Sequence, residues 1–154
     1  MNVQQKNKEK GFTIIEVVLV LAIAGLIFLM VFIALPALQR NQRDTQRKND
    51  VTRAQTAVNN YQTNNRNQLP TFNGTFISGY LTTNGDSFSD PDGTAYFFAA
   101  NAANDFAPAD FEAGKIYVTT KASCNGEKTE TGKGTGKVAL QYKLEGGGVA
   151  CVNN

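Results

Sequence analysis

The fold is decided by residues 11–35, GFTIIEVVLVLAIAGLIFLMVFIAL, an apolar run that contains one carboxylate, Glu16. The nineteen residues after it, 17–35, include no charged or strongly polar side chain. As a helix they rise roughly 28 Å, close to the ~30 Å hydrocarbon core of a bilayer. The run therefore predicts a membrane-spanning helix. An acid near the end of such a span is costly to bury, so Glu16 needs a cationic partner or a specific role.

The residues before Glu16 form a second pattern. A polar leader with three lysines, MNVQQKNKEK, is followed by Gly11 and Phe12, and Glu16 comes four residues later. This order at the start of an apolar helix resembles the type IV pilin and pseudopilin family. The resemblance implies that prepilin peptidase cuts between Gly11 and Phe12 and that the new amino group is methylated. It also implies that the amine of Phe12, on a neighbouring copy of the chain, neutralises Glu16.

Two other interpretations fit the apolar run less well. A secretory signal peptide also begins with basic residues, but its apolar region is shorter, ends at a small-residue cleavage site and rarely carries glutamate. An ordinary membrane anchor has the observed length, but the adjacent Gly11 and Phe12 would then be a coincidence. The pattern favours the pilin-like interpretation over both.

The composition favours a structural protein and not an enzyme. The chain has 154 residues and no histidine, which removes the commonest general base and the commonest zinc ligand. Without the charged residues of the leader, twelve basic and twelve acidic residues remain, so the processed chain is neutral. Basic residues flank the span on both sides, so orientation rests on the resemblance, which implies a cytoplasmic leader. We expect a single-pass membrane protein that later becomes part of a cell-surface filament.

The sequence predicts four segments: a cleaved leader (1–11), a transmembrane and assembly helix (12–36), an amphipathic continuation of that helix (37–65) and a globular β head (66–154). Gly25 and Pro36 are weak points of the first helix, because glycine has low helix propensity and proline lacks an N–H. The resemblance implies that both residues matter for assembly and that the helix melts between them in the filament. This proline, however, lies three residues later than is usual in the family.

The second half of the helix carries an apolar stripe. Apolar residues recur there with spacings of three and four, at Val51, Ala54, Val58 and Tyr61, and we expect them to pack beneath the head. The preceding stretch, 39–50, has no such stripe. Its basic residues could bind lipid phosphates or neighbouring subunits, and a solvated face is an equal alternative. They are Arg40, Arg43, Arg47 and Lys48, offset by Asp44 and Asp50.

The head is predicted to be rich in short strands. Runs at 94–100, 115–121 and 138–144 favour strands, which we expect to form one antiparallel sheet on the stripe. Asn73-Gly74 between apolar residues predicts a hairpin turn followed by a strand at 76–81. Aromatic residues are expected to fill the core, namely Phe97, Phe98, Phe106 and Phe111. The predicted fold class is α+β, a long amino-terminal helix packed against a small antiparallel β-sheet.

Three aspartates lie close together in the segment NGDSFSDPDGTAY: Asp86, Asp90 and Asp92. Closely spaced oxygen ligands suit Ca²⁺, but the segment lacks the spacing and the glutamate of an EF-hand. The sequence from Asp90 to Gly93 is also an ordinary β-turn sequence. It resembles the DP-x-G-x-x-Y turn of many pseudopilins and related pilins, with Tyr96 at the matching place. A turn alone is favoured, a calcium site is the alternative, and no other cofactor is expected.

The last third of the chain holds both cysteines, Cys124 and Cys151. In the external orientation that the resemblance implies, a disulfide between them would contribute about 3 to 4 kcal/mol, and two unpaired cysteines are the alternative. The stretch 125–137, NGEKTETGKGTGK, predicts a flexible exposed loop. Its lysines could meet anionic surfaces or DNA, although no aromatic residue is interleaved with them. They are Lys128, Lys133 and Lys137.

The resemblance implies a structural subunit that polymerises into a type IV pilus used in motility, adhesion or DNA uptake. The implied partners are other copies of the chain, prepilin peptidase, an inner-membrane assembly platform with its motor, and the membrane before assembly; nucleic acid stays open. The alternatives are a major pseudopilin of a type II secretion system and a minor adhesive or DNA-binding pilin. Residues 66–114 carry a net charge of −5 and 115–154 one of +3, so unlike faces of successive subunits could attract each other.

Overall fold

A computed structural model of the chain describes residues 11–83, 85–101 and 111–154. The chain forms two compact units, Met1–Gln39 and Arg40–Asn154, and the second is called the head unit below. Several residues used in the predictions lie outside the described ranges. They are Lys6, Lys8, Lys10, Phe106, Asp105 and Asp110.

The longest element is helix α1, Ile14–Asn64, with 51 residues. It continues without interruption through Gly25 and Pro36, so the single chain shows an intact helix where the resemblance implied melting. Melting in a filament stays a prediction. The helix ends before Arg66 and Asn67, which both take left-handed backbone conformations with φ of 52° and 64°.

The predicted apolar stripe on α1 is confirmed. Val51, Ala54 and Val58 are completely buried in the head unit, and Tyr61 is partly buried against the same core. Their spacing of three and four places them on one side of the helix. That side meets the inward-facing residues of the central strands, which are Ile116, Val118, Val138, Leu140 and Tyr142.

The prediction of a hairpin at Asn73-Gly74 is wrong, because this sequence begins a short helix, α2, Gly74–Tyr80. Asn73 is the N-cap residue, with an extended backbone, and its Oδ1 accepts a hydrogen bond from the Phe76 N–H at 3.1 Å. Asparagine is a favoured residue both in turns and at helix N-caps, and a type I′ turn would need positive φ at both central residues. Neither Asn73 nor Gly74 has a positive φ.

Four strands of the head unit form one mixed sheet in the order β1-β2-β5-β6. Their bounds are β1 Phe97–Ala100, β2 Lys115–Thr120, β5 Val138–Lys143 and β6 Val149–Asn153. β5 pairs antiparallel with both β2 and β6, but β1 pairs parallel with β2, from Phe97↔Lys115 to Ala100↔Val118. The expectation of antiparallel pairing for all three predicted strands is therefore wrong at β1. The fourteen residues between β1 and β2 are long enough for the crossover that parallel strands need.

The predicted flexible loop at 125–137 contains half of a hairpin. Its strands are β3, Ala122–Asn125, and β4, Lys128–Thr131, joined at Gly126, which has a φ of 63°. Ala122 is fully buried and Thr129 is also buried, so the hairpin packs on the head unit instead of extending into solvent. The expectation of a flexible loop was wrong here because threonine, a β-branched residue, favours strands even in a polar segment.

The aromatic residues divide between the two sides of the sheet. Phe98 packs against the core beneath α1, while Phe111 packs with Tyr117 and Val149 on the opposite side. Phe97 is 62% exposed, so its predicted place in the core is wrong. Successive side chains of a strand point to opposite faces, and β1 is an edge strand, so neighbouring phenylalanines cannot both face α1.

Candidate functional site

The predicted cleavage site lies just before α1. Gly11 and Phe12 precede the first helical residue, Ile14, and Phe12 is 90% exposed. Apart from its chain neighbours, no residue in the described ranges has an atom within 4 Å of the position where a Cβ on Gly11 would stand. A protease needs an open backbone at the bond that it cuts, and glycine provides one without a side chain. The geometry therefore leaves the bond between Gly11 and Phe12 accessible.

The first turn of α1 is closed by a capping box between Thr13 and Glu16. The Thr13 N–H and hydroxyl both donate to Oε2 of Glu16 at 2.8 Å, and the Glu16 N–H donates to the Thr13 hydroxyl at 3.4 Å. This reciprocal pattern supplies hydrogen-bond partners to groups that α1 leaves unpaired at its start. Sequence reasoning considered only an amine on another copy as the partner of Glu16. The capping box adds a partner within the chain, but it leaves the negative charge in place.

The apolar first half of α1 exposes almost all of its large side chains. By length and composition, α1 is the one helix in the described part of the chain that is long and apolar enough to cross a membrane. Outside the adjacent backbone of α1, none of the described residues has an atom within 4 Å of the position of a Cβ on Gly25. The exposed residues include Phe12, Ile14, Ile15, Leu19, Leu21, Leu26, Phe28, Met30, Phe32, Ile33 and Leu38.

The structure does not bring the three aspartates of the predicted calcium loop together. Asp90 is 2% exposed and turns into the head unit, where it meets Arg47. Asp92 accepts a hydrogen bond from the Thr94 N–H at 2.8 Å, and Asp86 is exposed, 4.0 Å from Arg53. Among the described residues no group of three metal-ligating side chains could hold an ion. The segment forms a turn, closed by the Gly93 N–H donating to the Asp90 carbonyl at 2.8 Å.

Arg47 on α1 forms a bidentate ion pair with Asp90. Its Nε and Nη2 donate to the two carboxylate oxygens of Asp90 at 2.8 Å each. Its Nη1 also donates to Asp44 at 3.1 Å and to Glu145 at 3.0 Å. Arg47 is only 6% exposed. A guanidinium that meets three carboxylates in a buried place uses most of its fixed hydrogen-bonding directions.

Two further residues extend this cluster toward the turn between β5 and β6. Arg43 binds Glu145 in a bidentate pair, at 2.7 and 2.5 Å. The carboxylate of Asp44 accepts the backbone N–H groups of Glu145 and Gly146 at 2.8 and 2.7 Å. A Cβ at Gly146 would stand 2.9 Å from Asp44 Oδ2, so this approach requires glycine. Arg43, Asp44, Arg47, Asp90 and Glu145 are called the α1 clasp below.

Two buried tyrosines complete the surroundings of the α1 clasp. The hydroxyl of Tyr142 donates a short hydrogen bond to Asp90 and accepts one from the Gly114 N–H at 3.0 Å. The hydroxyl of Tyr96 donates to Asp50 on α1 at 3.1 Å. The two rings meet edge to face, with centroids 5.4 Å apart. Every carboxylate oxygen of Asp90 therefore has a donor, as a buried charge requires.

The α1 clasp is fully ionised at neutral pH. Burial alone would raise the pKa of Asp90, but the hydrogen bonds from Arg47 and Tyr142 outweigh it and lower the pKa to about 2. Hydrogen bonds from Arg43 and Arg47 lower the pKa of Glu145 to about 2. Burial and the neighbouring Asp90 raise the pKa of the Tyr142 hydroxyl to about 12. The cluster therefore offers no group that exchanges protons near neutral pH.

Asp50 is the exception among the buried acids around the clasp. Burial raises its pKa above the ordinary aspartate value, although the hydrogen bond from Tyr96 and the charge of Arg53 oppose this shift. The nearest Arg53 nitrogen is 3.6 Å from Asp50. Arg53 also donates to the carbonyls of Leu81 and Ser87, at 3.2 and 3.3 Å, so it is shared among several acceptors.

Sequence reasoning missed the α1 clasp. It placed Arg43 and Arg47 in solvent, against lipid or against a neighbouring subunit, and the structure instead pairs them inside the head unit. Arg40 and Lys48 are exposed on the same stretch of α1. Two features of the sequence could have indicated this pairing. Residues 39–50 have basic residues but no apolar stripe, and residues 66–114 carry a strong negative charge.

The predicted basic loop and cysteines are also placed by the structure. Cys124 on β3 and Cys151 on β6 form a disulfide, with Cα atoms 5.8 Å apart. Lys133 pairs with Glu130 at 3.3 Å, and Lys137 donates to the Asn154 carbonyl at 2.8 Å. Lys128 is exposed. The lysines proposed for anionic partners are thus partly paired within the chain, and nucleic-acid binding stays a prediction.

A protein-family model matches the end of the predicted leader and most of the predicted transmembrane segment. Residues 6–32 match the family model of the prokaryotic N-terminal methylation motif. Neither the curated proteins nor the solved structures contain a match to the chain. The matched segment includes Gly11, Phe12 and Glu16, the residues that carried the resemblance, which is confirmed for this segment. The chain therefore carries the class III leader signal of type IV pilins, on a helix that is long and apolar enough to cross a membrane.

Proposed function

We propose that the chain is a structural pilin subunit, which prepilin peptidase cuts between Gly11 and Phe12 and which then polymerises into a type IV pilus. The observation that carries this proposal is the methylation motif at 6–32, which continues into the exposed apolar half of α1. An apolar surface of this size needs a cover. Lipid covers it before assembly, and the same half-helix of other copies covers it in the filament.

Glu16 selects the register of assembly in this proposal. Moving an apolar helix from lipid to a protein bundle provides little hydrophobic driving force, so close packing and polar pairs must decide which arrangement forms. The carboxylate of Glu16 already accepts two hydrogen bonds from Thr13, yet it keeps its charge. The methylated amine of Phe12 on a neighbouring copy supplies the cation. Each added subunit then neutralises one buried acid.

A set of three variants separates the charge of Glu16 from its role in the capping box. Glu16→Gln keeps an oxygen that can accept from Thr13 but removes the charge, Glu16→Ala removes both, and Thr13→Val removes the side-chain donor but keeps the charge. We expect membrane insertion and cleavage in all three. Filaments should be lost in both Glu16 variants and retained in Thr13→Val. Electron microscopy of filaments and immunoblots of processed protein measure these outcomes.

Normal filament yield in Glu16→Ala would overturn the proposed assembly step. Loss of filaments in Thr13→Val with a normal yield in Glu16→Gln would also overturn it, because the capping box and not the charge would then decide assembly. A failure of cleavage in any variant would show on the immunoblot as the longer precursor.

A major pseudopilin of a type II secretion system is the second candidate. The turn from Asp90 to Gly93, with Tyr96 three residues beyond it, fits this candidate. It resembles a turn found in many pseudopilins and in related pilins, so it fits a pilus subunit as well. Deletion of the gene discriminates between the two functions. A pilus subunit is needed for surface filaments, whereas a pseudopilin is needed for the release of secreted proteins into the medium.

A further inference from the structure

Apolar contacts and polar bonds both hold α1 in the head unit, and only the polar bonds depend strongly on orientation. The α1 clasp is the charged group of these bonds, and single hydrogen bonds at Asp50, Gln55 and Gln62 add to it. The apolar stripe of Val51, Ala54 and Val58 packs on the sheet through contacts that have no preferred direction. The α1 clasp holds the same helix by bidentate ion pairs, whose hydrogen bonds weaken steeply when their angles change. An axial shift of α1 would exchange apolar contacts for other apolar contacts, but it would break the hydrogen bonds of the clasp without replacing them.

We propose that the α1 clasp is a shear lock, which prevents α1 from sliding along its own axis across the head unit when the helix is under tension. The helix is continuous from Ile14 to Asn64, so a pull on its first half enters the head unit through the backbone at Arg40. Arg43, Asp44 and Arg47 come next along the helix. The load therefore reaches the clasp before it reaches Val51.

The clasp is anchored in two separate parts of the head. Arg47 binds Asp90, in the turn before β1, and Arg43 and Arg47 both bind Glu145, in the turn between β5 and β6. Asp44 grips the backbone N–H groups of the latter turn. An axial shift of α1 must break all of these bonds together, since they are fixed to one rigid helix and distributed over two anchoring turns.

Burial makes the clasp slow to release. The side chain of Asp90 has no exposed surface and that of Arg47 has 7%, so water cannot replace the bonds one at a time. Separating the two would leave a buried charge without a partner, which is strongly unfavourable. Exchanging both for uncharged residues is often nearly neutral for equilibrium stability. The clasp should thus contribute more to mechanical resistance than to thermal stability.

The test pulls single processed chains in detergent between handles at Gln39 and at Lys121, an exposed residue that follows β2. The double variant Arg47→Met with Asp90→Asn removes the central pair. Asp44 then keeps its hydrogen bonds from the N–H groups of Glu145 and Gly146, and Glu145 keeps its ion pair with Arg43. Val51→Ala is the control, because it removes part of the stripe and leaves the clasp intact. Thermal unfolding of the same samples gives the equilibrium stability.

We expect the wild-type chain to show a high-force rupture that the double variant loses while its melting temperature stays close to that of the wild type. Val51→Ala should lower the melting temperature and keep the high-force rupture. The shear lock is wrong if the double variant ruptures at the wild-type force. It is also wrong if rupture force follows melting temperature across all three proteins. Because single chains are pulled, these outcomes do not depend on whether the chain forms filaments.

Discussion

The two halves of α1 reverse the usual rule of burial. The first half exposes large apolar side chains such as Leu26 and Phe28, while the second half buries the charged groups of Asp44 and Arg47. The difference lies in where each half finds its partner. The charged groups of the second half find their partners within the same chain, because Asp90 and Glu145 supply the counter-charges of Arg47. The large apolar side chains of the first half stay exposed among the residues that the structure describes, and in the proposed function lipid or other copies of the chain cover them.

Removing Arg47, the central cation of the α1 clasp, should have the largest effect on stability. Arg47→Ala leaves Asp90 buried without its partner and should lower the free energy of unfolding by about 3 to 5 kcal/mol. Leu26→Ala is the matched change in the exposed half and should stay within about 0.5 kcal/mol. Chemical denaturation of the processed chain in detergent measures both. If both variants lowered the free energy of unfolding equally, the two halves of α1 would not differ in their contribution to the stability of the single chain.

Acid should lower the free energy of unfolding of the head unit over a defined pH range. The pKa of Asp90 is lowered to about 2 in the folded head, so its contribution, about 2 kcal/mol, is present above the unfolded value near 4 and is lost between about pH 4 and pH 2. The pKa of Asp50 is raised, so its unfavourable charge disappears as the pH falls and partly offsets this loss. Denaturation midpoints measured from pH 6 to pH 2 record the sum.

Asp90→Asn should lower stability at neutral pH and reduce that pH dependence, while Glu145, whose pKa is also lowered to about 2, keeps part of it. Asp86→Asn, which removes an exposed carboxylate from the same acidic segment, is the control and should keep the wild-type curve. If both variants keep the acid transition of the wild type, Asp90 is not the group that the acid titrates.

The smallest expected effect concerns calcium. Arg47 already provides the positive charge that the buried carboxylate of Asp90 requires, and Asp86 and Asp92 lie apart from it. We therefore expect no change in melting temperature when Ca²⁺ is added or chelated. A melting temperature that rises with Ca²⁺ in the wild type, and no longer does so in Asp92→Asn, would restore the calcium loop.

Features that depend on local sequence could be predicted, and features that depend on distant partners could not. The stripe at Val51 and Val58 follows from helical spacing, and the methylation motif follows from a contiguous run of residues. The clasp joins Arg47 to Asp90, which is 43 positions away in the sequence, and to Glu145, which is 98 positions away. No periodicity in the sequence indicates such a pairing. The parallel direction of β1 is non-local in the same way.

Local cues also failed where one sequence suits two structures. Asn73-Gly74 is a strong hairpin signal, but Asn73 serves equally well as a helix N-cap, and the aromatic cluster around Phe76 favours the helix. At Glu16 the sequence indicated the need for a cation, while the hydrogen bonds from Thr13 became visible only with the geometry of the first turn.

Intact mass measurement with amino-terminal sequencing of the native protein shows whether the chain is cut and methylated as a polymerising subunit with the exposed half of α1 would be. We expect a chain that starts at Phe12 and carries one methyl group on its amine. A native chain that still begins with the leader MNVQQKNKEK would contradict the account, because the amine that is to neutralise Glu16 would not exist.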